Sequence, residues 1–227
     1  MSLTIIKNEL SCTAIRGVLF DMDGVVLDTE KLYARFWREA AAALGHTMSY
    51  EQALGMRSLS STAGQAQLES YFGKGVSRAE FRAKRIELMD AYIDAHGVDL
   101  KPGIRELLDF LEEKGIKAAI TTSSPPERVR RYLGPHGLLS RFDRLCSGTE
   151  VAHGKPEPDI YIYGAACLGL KPEECIAIED SPAGVLSAYR AGCKTVMVPD
   201  LDQPDAETEK LLYAKADSLV DVISLIG

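Results

Sequence analysis

The sequence predicts an α/β fold with a central parallel sheet and an all-helical domain inserted after the first strand. Three observations predict it. Short apolar runs stop abruptly at polar loops, helical patterns alternate with those runs, and one long stretch has helical periodicity with no strand-like run inside it.

The first run, Ile15-Arg16-Gly17-Val18-Leu19-Phe20, stops at Asp21-Met22-Asp23-Gly24 and reads as a buried strand ending in a polar loop. Residues 29–100 then change character. Leu32, Phe36, Ala40 and Leu44 recur at helical spacing, as do Phe81, Ile86, Met89 and Ile93. Gly45, Gly55 and Gly73-Lys74-Gly75 divide the stretch into separate helices. The strand–helix alternation resumes with a helix over Ile104–Lys114 closed by Gly115, followed by a strand at 116–122. Further strands are predicted at 175–178 and 194–198, with helices over Pro126–Leu133, 158–168 and Pro182–Ala191. The domains are therefore 1–28 with 101–227 for the α/β core and 29–100 for the helical insertion, a size that 227 residues can hold.

A formal charge of −7 argues against nucleic acid as a partner, because phosphate backbones are held by concentrated Lys and Arg. No apolar run is long enough to span a membrane, and no signal peptide is evident. The cysteines, Cys12, Cys146, Cys167, Cys175 and Cys193, form neither a CxxC pair nor a zinc spacing, which suits reduced thiols in the cytoplasm. A monomer or weak homodimer is expected.

Ligands of an open parallel sheet gather at the carboxyl ends of its strands. Four polar signals fall at such places: Asp21 with Asp23, the run Thr121-Thr122-Ser123-Ser124, Lys155, and Glu179-Asp180. Taken singly, each has an ordinary reading as a turn, a helix cap or a surface lysine. One carboxylate–cation–hydroxyl arrangement explains all four together.

The run from Asp21 to Thr29 resembles the first motif, DxDGxxxDT or DS, of the haloacid dehalogenase-like phosphatases. Thr122 after an apolar strand is similar to the second motif, Lys155 in Gly154-Lys155-Pro156-Glu157-Pro158 to the third, and Ile178-Glu179-Asp180-Ser181 to the fourth. The order holds along the whole chain, and the helical insertion matches the cap that follows the first motif in one branch of the family. The resemblance implies a Rossmann-like core and a small phosphorylated metabolite as partner.

It also implies roles. Asp21 would attack phosphorus and form an aspartyl phosphate. Mg²⁺ would be held by the Asp21 carboxylate, the Asp23 carbonyl and Asp180, with Glu179 as a further ligand or as an orienting group. Asp23 would protonate the leaving oxygen and then activate water. Gly24 would let the backbone turn its N–H groups toward the phosphate. The Thr122 hydroxyl and the Ser123 N–H would hold phosphate oxygens, and Lys155 would supply positive charge.

Within the capped branch, the chain looks most like the β-phosphoglucomutase and hexose-phosphate phosphatase group. It departs from the mutase where a histidine is replaced by Tyr33, and where Leu54-Gly55-Met56-Arg57 stands in place of a Lys-led Gly-Val-Ser-Arg run. Glu30, Tyr33, Met56 and Arg57 are the candidate substrate residues. A sugar-phosphate phosphatase is the expected activity, with the mutase as alternative. A catalytically idle sensor or scaffold is the third reading. A dehalogenase is disfavoured, since dehalogenases lack the Asp23 equivalent and need no metal.

Overall fold

The computed structural model describes residues 3–6, 13–57, 59 and 61–226, so Cys12 lies outside the described residues. Two units emerge: Thr29–Val98, and Met1–Asp28 with Asp99–Gly227. The return crossing comes after Val98, two residues before the boundary drawn from the sequence at Leu100. Leu100 is already tied to the second unit by an antiparallel bridge to Leu27, and the Asp28 N–H donates to the Asp99 carbonyl at 2.9 Å.

The helical unit consists of α1 (Glu30–Ala43), α2 (Tyr50–Leu54), α3 (Ser61–Phe72) and α4 (Arg78–His96). The glycines punctuate it as expected, with Gly45, Gly73 and Gly75 at positive φ just past helix ends. Ala34, Trp37 and Ala41 of α1 share a core with Met48, Ala53, Met56, Leu68 and Phe81. One inward position differs from the sequence pattern. Ile86 is half-buried, whereas Arg85 is 6 % exposed, with its guanidinium 4.5 Å from the Tyr33 ring and 5.3 Å from the Trp37 ring. An arginine fits such a face because its stem is apolar and its charge is attracted to aromatic π-clouds.

The α/β unit holds a seven-stranded sheet: β1 (Leu3–Ile5), β2 (Gly17–Phe20), β3 (Lys117–Thr122), β4 (Arg144–Ser147), β5 (Cys175–Glu179), β6 (Lys194–Met197) and β7 (Ala214–Ala216). Its order is β1-β7-β6-β5-β2-β3-β4, and every neighbouring pair is parallel except β1 with β7. β2 and β5 are buried at every position, which is why they read as continuous apolar runs. Helices α5 (Ile104–Lys114), α6 (Pro126–Leu133), α7 (Asp159–Cys167), α8 (Pro182–Ala191), α9 (Ala206–Glu209) and α10 (Leu219–Ile226) complete the unit. Among the described residues, no helix is long and apolar enough to cross a membrane.

The strand order has one consequence for chemistry. From β2 the sheet grows through β3 and β4 on one side and through β5, β6 and β7 on the other. β2 and β5 are adjacent, with Phe20 in register with Ile178, so the reversal lies between them. A crevice forms at the carboxyl ends of strands flanking such a switch point. Asp21 follows β2 there, its N–H donating to the Ile178 carbonyl at 3.0 Å, and Glu179 ends β5.

Candidate active site

Lys155 is the hub of this crevice. Its Nζ donates to Asp21 Oδ1 at 2.5 Å, to Glu179 Oε1 at 2.6 Å and to the Thr121 carbonyl at 3.2 Å. The Tyr161 hydroxyl donates to the same Glu179 oxygen, and the Ser181 hydroxyl lies 3.5 Å from the other. Asp21, Glu179 and Asp180 are all buried. Burial lifts the Asp21 carboxyl most, Lys155 opposes it, and Glu179 and Asp23 add to it, so that the group is pushed up to about 8. Burial works to lower the Lys155 ammonium, but Asp21 and Glu179 outweigh it and hold the group well above its ordinary value. One lysine does not balance this many carboxylates.

Asp21, Glu179 and Asp180 each place an oxygen within 4.8 Å of the others, inside the separation of about 5 Å expected of carboxylates facing one ion. The donors are hard oxygens, the surroundings are buried, and acidic charge is in excess. Such a set fits Mg²⁺ and does not suit a soft, thiolate-seeking metal.

Asp23 is half-buried and accepts from Ser124 Oγ at 3.2 Å. Ser124 is itself fixed, since its N–H donates to Thr122 Oγ1 at 3.0 Å and its carbonyl accepts from Ser147 Oγ at 2.9 Å. Thr122 therefore uses its oxygen to shape the loop and keeps its hydroxyl hydrogen to give. Among the described residues, neither the Ser123 N–H nor the Met22 N–H has a protein acceptor. Gly24 requires a correction. Its N–H is committed to the Leu27 carbonyl at 2.8 Å, so it does not turn that group toward a phosphate. Its contribution is the backbone at φ 82°, which closes the loop that begins at Asp21.

Three residues of the site escaped the sequence reading. Tyr161 sits in a largely apolar helix where a tyrosine is an ordinary core residue, and Ser124 stood out only as part of the run Thr121-Thr122-Ser123-Ser124, with no role of its own. Gly184, in the first turn of α8, has no side chain where an added Cβ would overlap the Glu179 carboxylate. The only available signal was a glycine inside a helical run, a position that normally weakens a helix.

In the helical unit, Arg57 Nη1 pairs with Glu30 Oε2 at 3.0 Å, the two side chains being 6 % and 12 % exposed. Tyr33 lies under Arg85. Met56 is packed into the helical core beside Trp37 and Phe81, the setting of a packing residue rather than a lining one. Lys84 pairs with Glu87 at 2.6 Å on the helix surface. His153 is exposed and pairs with Asp159 at 3.0 Å. Cys146, Cys175 and Cys193 are buried free thiols and Cys167 is half-buried.

Comparison with known proteins identifies the family. The family model "haloacid dehalogenase-like hydrolase" matches residues 15–192. Hexitol phosphatase A of Escherichia coli (strain K12) is 35% identical over 189 residues, 81% of this chain and 82% of that protein. The phosphorylated carbohydrates phosphatase of Thermotoga maritima is 31% identical over 213 residues, 92% of this chain and 98% of that one. Among solved structures, CbbY from Rhodobacter sphaeroides in complex with xylulose-(1,5)bisphosphate superposes with a TM-score of 0.76 at 26% identity, covering 91% of this chain and 96% of that one.

Proposed function

The chain belongs to the haloacid dehalogenase-like hydrolase family and is a phosphoric monoester hydrolase, and we propose that it hydrolyses a small phosphorylated carbohydrate in a Mg²⁺-dependent reaction through an aspartyl phosphate. The observation that carries this reading is the buried lysine between two carboxylates, at a switch point where a third carboxylate completes a set of hard donors.

One Asp21 carboxylate oxygen bonds to phosphorus while the bond from phosphorus to the sugar oxygen breaks. Asp23, held by Ser124, gives a proton to the departing oxygen. In the second step Asp23 takes a proton from water, whose oxygen attacks phosphorus. The bond to Asp21 breaks, the carboxylate is restored and inorganic phosphate leaves. The Thr122 hydroxyl and the Ser123 N–H donate to non-bridging oxygens, and Lys155 offsets the charge of the nucleophile. Mg²⁺ would be held by the Asp21 and Asp180 carboxylates, the Asp23 carbonyl and Glu179, and would supply the remaining positive charge that a carboxylate needs to meet a phosphate dianion. Glu30, Tyr33 and Arg57 of the helical unit are assigned to substrate selection.

Phosphate release over a panel of hexose, hexitol and pentulose phosphates tests the reading, with Mg²⁺ and with EDTA. Release from at least one sugar or hexitol phosphate is expected, abolished by EDTA and restored by excess Mg²⁺. Release indifferent to EDTA, or silence across the panel, would overturn it. Conversion of β-glucose 1-phosphate to glucose 6-phosphate without free phosphate would replace it with the mutase.

A further inference from the structure

The Lys155 ammonium must lie against Asp21 to serve the nucleophile, yet a lysine is a flexible point charge on a long stem. Three features besides Asp21 restrain it. Glu179, 1 % exposed, takes it at 2.6 Å through Oε1. The hydroxyl of Tyr161, itself fully buried on α7, donates to that same oxygen, and the Lys155 Nζ lies 5.1 Å from the centre of the Tyr161 ring. Gly184 leaves the space in which the Glu179 carboxylate sits.

We propose that Tyr161 is a positioning residue for phosphoryl transfer, fixing Glu179 so that Glu179 in turn aims the Lys155 ammonium at the nucleophile Asp21. The inference rests on the phosphatase reading above and deepens it. Tyr161 touches no reacting atom. Its ring packs in the core cluster with Ile160 and Ala165 and is centred 5.1 Å from the Lys155 ammonium, a contact that phenylalanine keeps, so the hydroxyl is the link that a substitution can remove alone. Losing that hydroxyl leaves the ring's packing intact and removes one of the contacts that hold the carboxylate against the ammonium, loosening the aim of both.

Tyr161→Phe is the test, since it removes one oxygen and keeps the ring. On a substrate cleaved by the wild-type enzyme, kcat should fall about tenfold, the loss of one charge-assisted hydrogen bond, with KM within about twofold. The ¹H–¹⁵N signal of the Lys155 ammonium, sharpened by three fixed acceptors, should broaden while Tm changes little. A wild-type kcat in Tyr161→Phe, an unchanged Lys155 signal, or a KM that rises in step with the loss of kcat would each overturn the proposal. Gly184→Ala displaces the carboxylate directly and should lose at least as much kcat. Full activity there would overturn the role given to the seat of Glu179. A wild-type enzyme silent on every phosphate ester would refute the functional reading, and the Lys155 signal would still judge the role of Tyr161.

Discussion

The α/β unit and the helical unit both bury charge, but in opposite ways. In the helical unit Glu30 meets Arg57 at 3.0 Å, and Arg85 lies over two aromatic rings. Each charge there has a local compensation, and the arrangement serves packing. In the α/β unit Asp21, Glu179 and Asp180 converge on one point, with Lys155 as the cation bridging Asp21 and Glu179. Carboxylates in excess of their cation destabilise a folded protein unless something else neutralises them. The contrast marks where chemistry is expected: a carboxylate beside an arginine serves packing, and three carboxylates converging at strand ends offer hard donors to a cation.

Asp21→Asn should break the contrast most severely. With the nucleophile gone, turnover is expected to fall on the order of 10⁴-fold. Stability in EDTA should move the other way. The Asp21 carboxyl is pushed up to about 8 in the folded protein, against about 3.9 in an unfolded chain. Between those values the unfolded chain gives up its proton first, so the stability present below about pH 4 is lost as pH rises toward 8. Asn has no proton to lose. The Tm advantage of Asp21→Asn over wild type should therefore grow between pH 5 and pH 8, as read by thermal melts. An advantage that shrinks over that range would mean the carboxylates are not in conflict.

The two units were also unequally legible in the sequence. Central strands declare themselves, because burial on both faces favours a continuous apolar run, as in Gly17–Phe20 and the first four residues of Cys175–Glu179. Strands β1, β4 and β7 did not, since they are short, lie at or beside the sheet edges and carry exposed or polar residues. Helix boundaries marked by proline or glycine were read correctly, Pro126–Leu133 and Pro182–Ala191 among them. Within the site, residues that bear charge at strand ends stood out. Residues that hold those charges did not, because a Tyr161 or a Gly184 has the same local appearance whether or not a carboxylate leans on it. In the helical unit the period placed Ile86 inside and structure chose Arg85, since an arginine stem and two rings pack as well as a branched alkyl group.

Lys155→Met tests the α/β side of the contrast with a smaller effect on turnover, about 10²- to 10³-fold in kcat, the usual cost of losing one preorganised charge at a transition state. In EDTA it should also lower stability by about 3 kcal/mol, because two buried carboxylates lose their shared partner. Saturating Mg²⁺ should recover part of that stability and little of the turnover. A variant that melts like wild type in EDTA would mean the lysine contributes only to catalysis.

Arg57→Met should have the least effect on chemistry, and it sharpens the comparison most. The Glu30–Arg57 pair is mostly buried, so removing the arginine alone takes from Glu30 the cation 3.0 Å away and should cost up to about 3 kcal/mol. Replacing both partners, Glu30→Leu with Arg57→Met, removes the stranded charge and should return most of that loss, giving a large coupling in a double-mutant cycle. No neutral replacement of Asp21 and Lys155 together would restore activity, since there the imbalance itself is used. Turnover of p-nitrophenyl phosphate, which offers no sugar to select, should stay within about threefold of wild type in the double variant, while KM for the best sugar phosphate rises. If p-nitrophenyl phosphate turnover collapses as well, buried charge in the helical unit is part of the catalytic machinery, and the division drawn between the two units is wrong.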